Sequence, residues 1–232
     1  MNTVSVALDS IVFTWKGMQS PVLTLETVRW HTGERVFVQG PSGCGKSTLL
    51  GLLAGLHTPD HGSVRILGTD WQRLRPAQRD RFRADHIGYI FQQFNLIPYL
   101  SAMHNVTAPC HFSWHRHQRA VHEHGSIEHA ARHLLDALGL PAHTHTQQAS
   151  SLSVGQQQRV AAARALMGQP EVIIADEPNS ALDADNTHTF MNLLLQHACA
   201  YQSTLIFVSH DHGLSHYFDT LLTLPTPPSS HT

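Results

Sequence analysis

At 232 residues with 41% hydrophobic content, the chain fits one large domain or two small ones, with ample material for a core. A formal charge of −2 and no long basic run exclude the electrostatic footprint of a nucleic-acid binder. No apolar stretch approaches the roughly 18–20 residues that cross a bilayer, and Cys44, Cys110 and Cys199 lack the spacing of a disulfide framework or thiolate zinc site. Met1 to Ser5 carry no basic region ahead of an apolar segment, so a soluble, cytosolic chain that reaches any membrane through a partner is expected.

In chain order, residues 4–15 and 22–38 are apolar runs rich in Val, Phe and Thr, broken by Lys16-Gly17 and Thr32-Gly33. They read as strands, partly in an antiparallel layer. Residues 62–67 and 86–91 read as two more strands, with a helix over 76–83 started by Pro76. From 101 to 168 the pattern is helical, with Ser126 as N-cap of a helix over 127–138 and Gly139 as its stop. Residues 172–175 form a buried strand, 184–200 a helix and 203–208 a second buried strand, and the Pro- and Ser-rich end, 225–232, is expected to fray. Strands alternating with helices at both ends, around a helical block, imply an α/β core with a helical insertion.

Residues 40–48 read Gly-Pro-Ser-Gly-Cys-Gly-Lys-Ser-Thr, between a strand-like run (35–39) and a helix-like run (49–56). This is the context of a phosphate-binding loop. Gly40, Gly43 and Gly45 let successive N–H groups turn inward as an anion nest, flanked by Pro41, Ser42, Cys44 and Thr48. Lys46 supplies positive charge to the β- and γ-phosphates, and the Ser47 hydroxyl suits Mg²⁺. N–H groups around Cys44 would favour a thiolate, although a small inert residue filling the loop fits equally well. Four apolar residues, 172–175, deliver Asp176 and Glu177 to the end of a buried strand. There Asp176 would hold Mg²⁺ and Glu177 polarise a water. Leu152-Ser153-Val154-Gly155-Gln156 ahead of a strong helix makes a second anion-binding helix start. One nucleotide does not need both devices from one subunit, whereas two head-to-tail copies would each use one of the other's.

With these motifs in order, the chain resembles the ATP-binding-cassette (ABC) ATPases over about residues 4–224. The resemblance includes Gln92 after Phe91, Asp183 in the loop 180–183, and His210 in Ser209-His210-Asp211. It implies a P-loop NTPase fold in a single domain over 1–232, with a RecA-like core (about 1–92 and 169–224), an antiparallel β layer and a helical subdomain (about 93–168). It further implies an ATP- and Mg²⁺-dependent ATPase. Trp15 would stack on adenine, and Gln92 would meet Mg²⁺ and the attacking water. Ser153, Gly155 and Gln156 would meet the nucleotide of the opposite subunit, with Asp183 beside it. His210 would orient the γ-phosphate and Glu177. Val154 departs from the family's usual glycine, which implies a competent but slower site. The stretch 87–98 and Gln156-Gln157-Gln158 look like the lipoprotein-release and macrolide-export branch. That branch implies a homodimer on the cytoplasmic face of the inner membrane, bound to permeases with four membrane helices and a large extracytoplasmic domain. The nearest rival is the cell-division type, which transmits a signal and moves no substrate. Soluble DNA-repair ABC ATPases need insertions that this length and charge do not accommodate, and no nucleic-acid partner is expected.

Nine of the 20 histidines fall between His111 and His145. The spacing of His111, His115, His122, His129 and His133 would put them on one face of a continuous helix, or on paired faces (His111/His115 and His129/His133) if Gly125-Ser126 breaks it. Such pairs can chelate Zn²⁺, against the blander and preferred reading of a solvated face where histidine replaces Lys, Glu or Gln. No cysteine or carboxylate cluster in the segment completes a tetrahedral site.

Overall fold

The computed structural model describes residues 3–179 and 184–225, the side chains of 184–186 excepted. The chain runs β1 (Val4–Phe13), β2 (Leu23–Leu25), β3 (Val28–His31), β4 (Arg35–Gln39), α1 (Lys46–Leu53), β5 (His61–Ile66), β6 (Thr69–Asp70), α2 (Pro76–His86) and β7 (Ile87–Ile90). It continues through α3 (Ala102–Phe112), α4 (Trp114–His124), α5 (Ile127–Ala137), α6 (Val154–Leu166), β8 (Val172–Asp176), α7 (Ala184–Ala200), β9 (Thr204–Val208) and β10 (Thr220–Thr223).

Two sheets result. In the antiparallel one, β2, β1, β5 and β6 lie in that order and β3 also pairs with β1. The other is parallel throughout, in the order β10-β4-β9-β8-β7. Helix α1 lies between the sheets: Leu49, Leu50, Leu52 and Leu53 join Val6, Leu8 and Trp30 of the antiparallel sheet and Val36, Ile174 and Ile206 of the parallel one. Alternate residues Ile173, Ala175, Leu205 and Phe207 face the opposite way, onto a core shared with α3, α5, α6 and α7. Burial on both faces explains the unbroken apolar runs of β8 and β9. Each fully buried Leu or Ile there contributes about 1.5–3 kcal/mol.

Three expectations change. The run 22–38 splits into β2, β3 and β4, with the first two in the antiparallel layer and β4 in the parallel core. Short β6 and β10 had no distinct sequence signal; β10 is the edge of the parallel sheet. The helical stretch breaks at Ser113 as well as at Gly125-Ser126. Ser113 ends α3 and caps α4, accepting from the Arg116 N–H at 3.0 Å and donating to Asp85 Oδ1 at 2.6 Å. The break aims the buried Arg116 guanidinium at the carbonyls of Ala165 (2.6 Å) and Met167 (2.7 Å) at the end of α6. A straight helix would leave that charge without partners. His111 and His115 therefore sit on different helices and form no i,i+4 pair. The Ser126 cap holds, with its side chain accepting from the His129 N–H at 3.1 Å. Of the end expected to fray, only Pro225 is described.

Candidate nucleotide site

The C-terminal end of β4 turns directly into α1. The turn residue Gly45 has φ +96° and no room for a side chain, since an added Cβ would sit 2.9 Å from the Val22 carbonyl oxygen. No side chain caps α1, so its first-turn N–H groups point into the open end of the loop. The Lys46 ammonium spans the loop, donating to the carbonyls of Gly40 (2.8 Å) and Pro41 (3.0 Å). Cys44 is 2% exposed, and its Sγ lies against Gly40. The thiol thus packs the underside of the loop and is shielded from reagents.

A cleft of about 410 Å³ opens over this loop. It is lined by Trp15, Met18, Val22, Ser42, Gly43, Gly45, Lys46, Ser47, Thr48, Glu177 and His210. Trp15 stands at one wall, edge-on to Phe13 (4.9 Å) and His57 (4.8 Å). At the other wall, β8 and β9 are paired through Asp176 and Val208, and this places Glu177 and His210 side by side. His210 Nε2 lies 2.7 Å from Glu177 Oε1, and Gln92 Nε2 donates to Glu177 Oε2 at 3.4 Å. Glu177 holds a left-handed φ of +45°, its N–H donating to the Val208 carbonyl at 2.9 Å. Such a conformation costs about 1–3 kcal/mol and recurs at functional sites. Burial, then the neighbouring Glu177, raises the Asp176 pKa above the ordinary carboxylate range, with Lys46 opposing. Two acids crowded at the edge of an anion nest suit a divalent cation.

Ser153, Gly155 and Gln156 lie outside this cleft. Ser153 caps α6 in a reciprocal box: its N–H donates to Gln156 Oε1 at 2.9 Å, and its hydroxyl accepts from the Gln156 N–H at 3.3 Å. Asp183 lies outside the described residues. Two residues that the motif analysis left without a role tie α6 to the site. Arg164 donates to the carbonyls of Phe94 (2.5 Å) and Asn95 (2.6 Å), just past Gln92. Gln158 donates to the Pro178 carbonyl at 2.5 Å, just past Glu177. Met18, Val22 and His57 were likewise missed; a lone apolar or imidazole side chain in a loop carries no spacing signal.

A family model described as "ABC transporter" matches residues 26–180. The chain belongs to the ABC transporter family. It is an ABC ATPase cassette, and its α/β P-loop fold is the one expected. Among its relatives, the lipoprotein-releasing system ATP-binding protein LolD 2 of Rhodopirellula baltica is 37% identical over 206 residues, covering 87% of this chain and 78% of the relative. A probable export ATP-binding/permease protein of Pseudomonas fluorescens is 44% identical over 186 residues, covering 78% of this chain. The cassette spans only about a quarter (26%) of that relative's length. A solved dimeric ATP-binding cassette in a post-hydrolysis state with ADP and Pi superposes at a TM-score of 0.83, with 33% identity and 94% of both chains covered. These relatives place the cassette in the branch of the lipoprotein-releasing and macrolide-export ATP-binding proteins.

Proposed function

We propose that residues 1–232 act as one cassette, with a core over about 1–92 and 169–224 and a helical block over about 93–168. Two copies hydrolyse ATP between them to drive a membrane permease. The observation that carries this is the Glu177 carboxylate, gripped by His210 and Gln92 and facing Lys46 across one cleft.

The loop fits a triphosphate, because the α1 N–H groups are uncapped and the Lys46 ammonium spans the opening. In this reading Trp15 stacks on adenine. Gly40, Pro41, Ser42, Gly43, Cys44, Gly45 and Thr48 wrap the phosphates, chiefly through backbone, and Lys46 neutralises the β- and γ-oxygens. Mg²⁺, held by Ser47, Gln92 and Asp176, would neutralise charge on the transferred phosphoryl group. Glu177 polarises the attacking water, and His210 keeps its carboxylate aimed. Ser153, Gly155 and Gln156 serve the nucleotide of the opposite copy, since they line no part of their own chain's cleft.

Among the described residues no helix is long and apolar enough to cross a membrane, so the permease supplies the spanning part. The relatives' names support a permease of the lipoprotein-release or macrolide-export kind. In this reading the permease carries four membrane helices and a large extracytoplasmic domain, and the cassette sits on the cytoplasmic face of the inner membrane. A groove of about 870 Å³ between α2 and the α3–α4 junction, with Phe112 (80% exposed) and Trp114 (65% exposed) at its edge, supports contact at the boundary of core and helical block. Replacing Glu177 by Gln removes the base and keeps Lys46. Light scattering with ATP should then show a stable dimer, while phosphate release falls by about 100-fold or more. A strictly monomeric Glu177→Gln protein would overturn the head-to-tail arrangement.

A further inference from the structure

Among the described residues, one trio of metal-ligand side chains comes together, and it lies at the end of the parallel sheet opposite the phosphate loop. His86 is the last residue of α2, and Glu171 immediately precedes β8; parallel pairing of Ile87 with Val172 sets them side by side. His115 comes from α4, in the helical block. One ligand atom from each lies within 4.8 Å of the others. His86 Nδ1 is 3.0 Å from Glu171 Oε2, and His115 Nε2 is 3.5 Å from Glu171 Oε1. Zn–N distances of about 2.0–2.1 Å and Zn–O of about 2.0–2.2 Å put tetrahedral donors about 3.3 Å apart; each imidazole is near that separation from one of the two Glu171 oxygens.

Three further observations point to a ligand. His115 Nε2 is buried and makes no hydrogen bond among the described residues, its nearest acceptor being Glu171 Oε1 at 3.5 Å. Arg119 donates to Glu171 Oε1 at 2.7 Å and to the Gln169 carbonyl at 2.5 Å, orienting the carboxylate as outer partners of metal ligands do. A cleft of about 540 Å³, lined by His115, Gln118, Arg119 and His122, reaches the trio at His115 and gives an ion a route from solvent to its edge.

We propose that His86, His115 and Glu171 bind a borderline divalent transition-metal ion of the Zn²⁺ class, which fastens α4 to the core. Two imidazoles with one carboxylate select such an ion over Mg²⁺ or Ca²⁺. The site is separate from the nucleotide cleft and does not depend on its assignment. In sequence the carboxylate lies 56 residues from His115 (171 − 115), outside the histidine-rich segment, so spacing within that segment could not find it.

The test is calorimetry of Zn²⁺ on the full-length, untagged, chelator-stripped protein without nucleotide. The expected result is one saturable site of roughly micromolar affinity or tighter, lost in His115→Gln and retained when His129 and His133 are both replaced by Gln. Circular dichroism shows whether His115→Gln is folded. Independently of any variant, Co²⁺ added to the unmodified chain should give the visible bands of a tetrahedral site, bleached by one equivalent of Zn²⁺. Millimolar unsaturable binding, survival of the site in folded His115→Gln, or absence of the Co²⁺ bands would each overturn the assignment and leave Glu171 as an ion-pair partner of Arg119 and His86.

Discussion

The starts of α1 and α6 are both glycine-containing helix N-termini suited to anions, and they are built in opposite ways. At α1 the turn residue is Gly45, no side chain caps the helix, and Lys46 crosses the opening. At α6, Ser153 and Gln156 close the first turn on each other. The first terminus leaves its donors uncapped and free for a ligand. The second spends a hydroxyl and an N–H on itself, across a long 3.3 Å bond that a better acceptor can displace. An uncapped start is stable only with a ligand or water, whereas a capped one holds its helix rigid until a partner arrives. The difference supports the proposal that one terminus binds a nucleotide within its subunit and the other serves the nucleotide of a second subunit.

Removing the charge at the first terminus tests the comparison most severely. Lys46→Ala should abolish tight ATP binding, measured with a fluorescent nucleotide, and cut phosphate release by about 100-fold or more. Normal turnover in that variant would remove the loop from the chemistry.

Ser153→Arg attacks the second terminus. Hydrolysis should fall about as far, while ATP affinity of the dilute, monomeric subunit stays within about twofold of the parent. Loss of the cap should also lower the melting temperature by about 2–4 °C, from roughly 1 kcal/mol of helix capping. A drop in monomer affinity matching that of Lys46→Ala would mean that both termini serve one nucleotide in one chain.

The smallest effect is expected at Val154, the first residue of α6 and half-exposed. Val154→Gly removes a β-branched side chain from the surface proposed to meet the partner's phosphates. Turnover should rise by about threefold or less, and the melting temperature should fall by about 1–3 °C, because glycine weakens a helix by roughly 0.5–1 kcal/mol. Unchanged turnover would show that Val154 does not limit the closed site.

Legibility in the sequence followed the range of the forces involved. The phosphate loop, the buried β8 and β9, Asp176-Glu177, the Ser126 cap and the helix start at Ser153 were readable. Each depends on backbone angles, hydrogen bonds or alternating burial within a few neighbouring residues. The split of residues 22–38 was not readable, because the sheet that a short strand joins depends on where its partners are. The break at Ser113 was hidden too, since it is set by Arg116 reaching the Ala165 and Met167 carbonyls about 50 residues on.

The sequence alone therefore determined the family of the nucleotide loop, the acids that face it and the order of its motifs, since these are contiguous in the chain. Only the tertiary structure decided which distant groups meet. Parallel pairing of β8 with β9 and with β7 sets Glu177 beside His210 and Glu171 beside His86. Arg164 reaches the segment past Gln92, and α4 swings His115 onto Glu171. These meetings follow from strand order and helix packing, in which burial of the shared apolar core selects the arrangement and the polar side chains are carried into place.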